Sequence, residues 1–129
     1  MNIISGDEMR KKKVMVVDDD HEFLNEIKEV LTSSGYEVVV VNNSLLVFDT
    51  VVKVRPDVIL LDLNMPNKSG FEIASELKYS LLTKQIPIIA ISGYLKDEHY
   101  ISLMEICGIK NRIEKPINPL DIIAKIEGY

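Results

Sequence analysis

The chain has 129 residues, 47% of them hydrophobic, which suits one domain with a single well-filled core. Its formal net charge of -5 argues against a surface built to grip nucleic-acid phosphates, which needs an excess of Lys and Arg. The one cysteine, Cys107, excludes an intramolecular disulfide and reads as a small buried hydrophobe, and no apolar stretch approaches the roughly 20 residues needed to cross a bilayer.

Residues 1–13 place their basic cluster, Arg10 to Lys13, after their few apolar residues, an order that does not suit a signal peptide. Residues 1–11 read as a solvated N-terminal tail and 12–129 as the folded domain, expected in the cytoplasm and without direct contact with nucleic acid or membrane. Residues 14–17 then form a short apolar run rich in β-branched side chains, the pattern of a strand buried on both faces. Asp20 can cap a first helix, in which Phe23, Leu24, Ile27, Val30 and Leu31 recur at amphipathic spacing until Gly35.

Residues 38–41 predict a second strand, 44–53 a helix of weaker pattern, and 58–61 a third strand. Ser69 and Glu72 fit a capping box, after which Phe71, Ala74, Leu77 and Leu81 continue at helical spacing until Pro87. Residues 86–91 predict the fourth strand. Tyr100, Leu103, Met104 and Cys107 predict a helix stopped by Gly108, and residues 110–113 a short fifth strand. Asn118 can cap a last helix with Pro119 at its first position, where a missing N–H costs nothing. There Leu120, Ile122, Ile123, Ala124 and Ile126 span roughly 200°, wider than the roughly 100° that one face needs. Either this helix tucks deeply against its neighbours, or part of the arc stays exposed as a docking or dimer patch.

Strands alternating with helices through short loops predict right-handed crossovers and an α/β, doubly wound sheet of parallel strands with helices on both faces. Such sheets bind ligands outside the carboxyl ends of their strands, and the polar residues collect there. Asp18, Asp19 and Asp20 follow the first strand and Asp62 ends the third, between Leu61 and Leu63. Clustered carboxylates raise one another's pKa, so a site that keeps them ionised calls for a cation, and oxygen donors suit Mg2+. A solvated helix start explains the acidic triplet equally well when taken alone. Ser92, followed by Gly93, supplies a hydroxyl, and Lys115, followed by Pro116, a positive charge, each at a strand end. An acidic nucleophile, a metal pair, a hydroxyl and a lysine are the parts of a phosphoryl-transfer site.

The ordered set Val17-Asp18-Asp19, Asp62-Leu63-Asn64-Met65-Pro66 with Gly70, Ser92-Gly93 and Lys115-Pro116 resembles the receiver domains of two-component response regulators, chemotaxis proteins among them, from Lys12 to Glu127. The resemblance implies a (βα)5 flavodoxin-like fold of five parallel strands and five helices. It implies a stand-alone signalling module of a two-component system or phosphorelay, a phosphoprotein and not a turnover enzyme. Asp62 would be the phosphoacceptor, taking its phosphoryl group from the phosphohistidine of a histidine kinase or histidine phosphotransferase. Asp19 and Asp62 would ligate Mg2+ directly, Asp18 through water, and the backbone carbonyl of Asn64 would complete the protein ligands. Ser92 and Lys115 would hold the phosphoryl oxygens, with a cis peptide between Lys115 and Pro116. The signal would pass through the loop after Ser92 and the last helices to a downstream target protein, with a phosphorylation-linked dimer as a further outcome.

One position departs from the family pattern: Arg112 stands where an aromatic usually sits, three residues before the lysine. Arg112 is expected to stay outside, with the loop after Ser92 carrying the signal. Asn64 and Tyr94, each two residues beyond a site residue, are expected to flank the path of water to the acyl phosphate and tune its lifetime; Tyr94 equally suits a surface aromatic. His21 and His99 lack partners at metal-ligand spacing. Two other classes compete. A phosphohydrolase of the haloacid-dehalogenase type needs an acid two residues after its nucleophile, where Asn64 stands. A pseudo-receiver with a degenerate site has only Arg112 in its favour.

Overall fold

The structure, a computed structural model, describes residues 10–94 and 96–129. Among them β1 (Lys13–Val17), α1 (His21–Ser33) and β2 (Glu37–Val41) are followed by a short 3-10 turn (Ser44–Leu46) that leads into α2 (Val47–Val54). Then come β3 (Val58–Asp62), α3 (Gly70–Lys78), β4 (Ile88–Ser92), α4 (Glu98–Ile106), β5 (Asn111–Glu114) and α5 (Pro119–Glu127). The strands form one sheet in the order β2-β1-β3-β4-β5, every neighbouring pair parallel. This is the doubly wound (βα)5 arrangement that the alternating pattern predicts.

The sheet is held by two cores, one on each face. Met15, Val17, Ile59, Leu61 and Ala90 meet α2, α3 and α4 through Val51, Ile73, Leu77 and Met104. Val14, Val16, Leu60, Ile89 and Ile91 meet α1 and α5 through Leu24, Ile27, Leu31, Ile122 and Ile126. Alternate residues of β1, β3 and β4 feed opposite cores, so these central strands read as unbroken apolar runs. β2 lies at an edge, and three of its five residues are only half-buried.

Capping fixes where the helices begin. Asp20 accepts from the N–H groups of Glu22 and Phe23, Ser69 from Glu72, Asp97 from His99 and Asn118 from Leu120. Gly35 and Gly108, at φ of 95° and 78°, take the left-handed conformation that ends α1 and α4.

Two expectations are corrected. α3 stops at Lys78, short of Leu81, because the Thr83 hydroxyl bonds the Leu77 carbonyl at 2.6 Å and turns the chain; Leu81 is left 81% exposed. β4 begins at Ile88, past Pro87, which has no N–H to give the ladder and offers only its carbonyl, to Ile59. The basic run is tied down where the described chain begins: Arg10 pairs with Asp57 at 3.1 Å, Lys12 Nζ donates to the Ile126 carbonyl at 3.3 Å, and Lys13 opens β1. Residues 1–9 of the expected tail lie outside the described residues. In α5, Ile122 and Ile126 are buried while Leu120 is exposed, so part of the wide apolar arc faces outward. No helix among the described residues is long and apolar enough to cross a membrane.

Leu60 lies on the central strand β3 and is fully buried. Leu60→Ala is expected to cost about 2–5 kcal/mol of unfolding free energy, read from the denaturant midpoint.

Candidate functional site

The chain runs from β1 out to β2 and then back across to β3, so the crevice at the carboxyl ends of β1 and β3 is where the sheet order reverses. Val17 pairs in register with Leu61, which places Asp18 and Asp62, the next residues, side by side at that edge. Asp62 in turn pairs with Ile91, which brings Ser92 to the same edge, and Lys115 donates its backbone N–H to the Ser92 carbonyl at 3.0 Å. Residues separated by almost a hundred positions thus meet because strand register puts them there.

The carboxylate oxygens of Asp18, Asp19 and Asp62 lie within 4.8 Å of one another. Asp18 and Asp62 are buried and Asp19 is exposed. Backbone N–H groups steady the two buried acids, Asp20 N–H donating to Asp18 Oδ1 at 3.0 Å and Asn64 N–H to Asp62 Oδ1 at 3.1 Å. The Lys115 ammonium stands 3.4 Å from Asp18 Oδ2 and 3.7 Å from Asp62 Oδ1, and the Lys115–Pro116 peptide is cis. Ser92 is fully buried, and its Oγ accepts from the Tyr94 N–H at 3.0 Å.

Burial dominates the electrostatics. Desolvation pushes the Asp62 carboxyl up from its ordinary 3.8 to about 6; the Asn64 N–H and Lys115 pull it down, while the charge of Asp18 raises it further. Asp18 is also raised by burial, in spite of the Asp20 N–H and the ammonium of Lys115. One lysine does not offset the cost of desolvating two acids. The donor set consists of oxygens alone, spaced for one ion, and this fits a hard divalent cation such as Mg2+ better than a soft metal.

Gly70 holds the scaffold close to this edge. A Cβ there would stand 2.4 Å from the Asp62 carbonyl oxygen and 2.7 Å from Leu63 Cα. The Gly70 N–H donates to the Leu63 carbonyl at 3.1 Å, so the start of α3 packs directly on the backbone that carries Asp62.

The structure therefore gathers Asp18, Asp19, Asp62, Ser92 and Lys115 at one edge, with Asn64 beside them. Arg112 is not part of the group; it is exposed, opposite Ala90 in the register. His21 and His99 are also exposed. The sequence reading missed Tyr100, treated there only as an apolar helix position. Its hydroxyl donates to Asn64 Oδ1 at 2.6 Å, and its ring meets those of Phe71 and Tyr94. A tyrosine in the first turn of the helix that follows the Ser92 loop was the available signal, since such a turn starts from the site edge.

A family model described as the response regulator receiver domain matches residues 14–127. The chain is 33% identical over 116 residues to the phosphate regulon transcriptional regulatory protein PhoB of Pseudomonas aeruginosa, covering 90% of this chain and 50% of that one. It is 32% identical over 120 residues to the polar-differentiation response regulator DivK of Brucella anthropi, covering 92% of this chain and 95% of that one. The chain thus spans half the length of the first relative and nearly all of the second. Among solved structures, the chemotaxis protein CheY4 of Vibrio cholerae matches with a TM-score of 0.86 at 26% identity, over 92% of this chain and 98% of that one.

The raised Asp62 carboxyl has a consequence for stability. It favours folding below pH 3.8, and that contribution is lost as pH rises through about 6. Asp62→Asn removes a charge that opposes folding at neutral pH, and in metal-free buffer it should raise stability there by about 1–3 kcal/mol. The gain should vanish near pH 4; calorimetry across that range checks it, and a gain that does not change with pH would contradict the assignment. Gly70→Ala should act in the other direction, lowering the thermal midpoint by the equivalent of about 1–3 kcal/mol as the new Cβ forces α3 off the Asp62 backbone.

Proposed function

The chain belongs to the response regulator receiver domain family, and on that premise we propose that it accepts a phosphoryl group onto Asp62 in a Mg2+-dependent reaction. Phosphoryl acceptance is typical of this family in two-component signalling. The observation that carries the residue assignment is the buried Asp62 carboxylate, beside two further acids and 3.7 Å from the Lys115 ammonium.

Asp19 and Asp62 would hold Mg2+ directly, Asp18 through water, and the Asn64 backbone carbonyl would complete the protein ligands. When bound, Mg2+ supplies positive charge that lets the clustered acids stay ionised and that offsets charge on the phosphoryl oxygens. A carboxylate oxygen of Asp62 attacks the phosphorus of a phosphohistidine; the P–N bond breaks, and its electron pair leaves with the imidazole, which takes up a proton. Ser92 and Lys115 hold the phosphoryl oxygens. With its Oγ already accepting from the Tyr94 N–H, Ser92 keeps its own proton to donate. Lys115 brings a charge that its pairing with Asp18 and Asp62 keeps at the crevice.

The reading makes the chain a phosphoacceptor that catalyses its own phosphorylation and dephosphorylation, not a turnover phosphatase. Asn64 cannot serve as the general acid that a phosphohydrolase needs at that position. The phosphoryl donor is a histidine kinase or histidine phosphotransferase, and an apolar groove of about 550 Å3 lined by Phe23, Ile27, Ile117 and Pro119, with Lys115 at its side, offers it a seat next to the crevice. The signal passes through the loop after Ser92 to a downstream target, with exposed Leu120 on a surface suited to a phosphorylation-linked dimer. The receiver unit spans residues 12–129 and works in the cytoplasm. Arg112, outside the site, takes no part in the chemistry.

With Mg2+ and acetyl phosphate, intact-mass measurement should show one phosphate added per chain, and Asp62→Ala should show none. Lys115→Ala should slow phosphorylation on the order of 100-fold, the scale of losing one charged stabiliser. Arg112→Ala should be phosphorylated as the wild type is. Mg2+ should raise the thermal midpoint of the wild type and not that of Asp62→Ala. Phosphate that persists in Asp62→Ala would sink the assignment.

A further inference from the structure

Two loops leave the acidic crevice and meet on one side chain. On the β3 side, Asn64 donates its backbone N–H to Asp62 Oδ1, and its own side-chain Oδ1 accepts from the Tyr100 hydroxyl at 2.6 Å. On the β4 side, Tyr94 donates its N–H to Ser92 Oγ, and its ring centroid lies 5.4 Å from that of Tyr100. Phe71, in the first turn of α3, meets Tyr100 edge to face, with centroids 5.2 Å apart and planes at 83°. Tyr100 is thus held by two rings while its polar tip points at the residue two positions beyond the proposed phosphoacceptor.

We propose that Tyr100 is a positioning residue that prolongs the life of the acyl phosphate by holding the Asn64 carboxamide through its hydroxyl. The inference rests on Asp62 being the phosphoacceptor. In hydrolysis a water oxygen attacks phosphorus as the P–O bond to Asp62 breaks. The carboxylate leaves with the electron pair and the water gives up a proton, yielding inorganic phosphate and free Asp62. Such a water is helped by an acceptor that takes one of its hydrogens. Asn64 is exposed at the site and carries one in Oδ1. In this chain that oxygen is engaged by the Tyr100 hydroxyl, a phenol and so a stronger hydrogen-bond donor than water. The bond fixes the orientation of the carboxamide, so that Oδ1 can meet water only through its second lone pair and not by turning toward the phosphorus.

The rings separate this role from simple anchoring. Edge-to-face and tilted ring contacts survive the change to phenylalanine, so Tyr100→Phe removes the hydroxyl and leaves the packing. Wild type and variant are loaded with acetyl phosphate and Mg2+, the donor is removed, and loss of phosphate is followed by intact mass. Tyr100→Phe is expected to lose phosphate about fivefold faster, equivalent to about 1 kcal/mol. In an Asn64→Ala background, where Oδ1 is gone, the same change should have no effect. Equal rates of loss in wild type and Tyr100→Phe overturn the proposal, as does an acceleration that persists in Asn64→Ala or a variant that shifts only the thermal midpoint. A wild type that takes no phosphate on Asp62 sinks the phosphoacceptor reading itself, and this shows before any loss is timed.

Discussion

The structure depends on keeping two carboxyl groups that repel each other out of water at the end of a parallel sheet. Asp18 and Asp62 are both buried, and among the described residues Lys115 is the one cation that pairs with both. An ionised carboxylate removed from water costs several kcal/mol unless it is paired and hydrogen-bonded. Here one lysine and two backbone N–H groups leave that cost incompletely offset, which is why both groups titrate high. A folded protein retains such a cluster only when the rest of its structure over-determines the positions. The two apolar cores do so by fixing β1 and β3 from both faces.

The same frustration is what makes the crevice useful. A site whose charges were already balanced would gain little from a cation or from a dianionic phosphoryl group. The excess of negative charge at Asp18, Asp19 and Asp62 favours a divalent ion, and the ion together with Lys115 favours a phosphate. Stability given up to bury these acids would be recovered in part by a cation that binds the folded chain. Gly70 belongs to this arrangement, because only a residue without a side chain lets α3 approach the backbone of Asp62 so closely.

The sequence made legible what periodicity and local chemistry determine. The central strands were readable because burial on both faces demands continuous apolar runs, and the acids stood out because nothing local explains Asp62 after such a run. The caps at Asp20, Ser69 and Asn118 followed from side chains that serve donors two or three residues away. Long-range bonds were not legible. The end of α3 is set by Thr83 reaching back to Leu77, against a spacing that let Leu81 pass as one more helical position. The pairing of Arg10 with Asp57 joins residues 47 positions apart that no motif connects. Tyr100 was hidden for a related reason: its ring satisfies the helical pattern and its hydroxyl does something else.

Arg112 and Tyr100 take on meaning together. β5 is an edge strand, and Arg112 stands exposed on it, where drawing its guanidinium inward would cost it hydration. An aromatic at that place could turn between a wet and a dry position at small cost; an arginine cannot. Tyr94 and Tyr100 bring aromatic surface to the site and reach Ser92 and Asn64 by hydrogen bonds of 3.0 and 2.6 Å, the first through a backbone N–H and the second through a hydroxyl. A phosphoryl group gripped by Ser92 and carried by Asp62 would pull on both ends of that pair at once. α4 is thereby linked, through Tyr100 in its first turn, to both loops that leave the crevice.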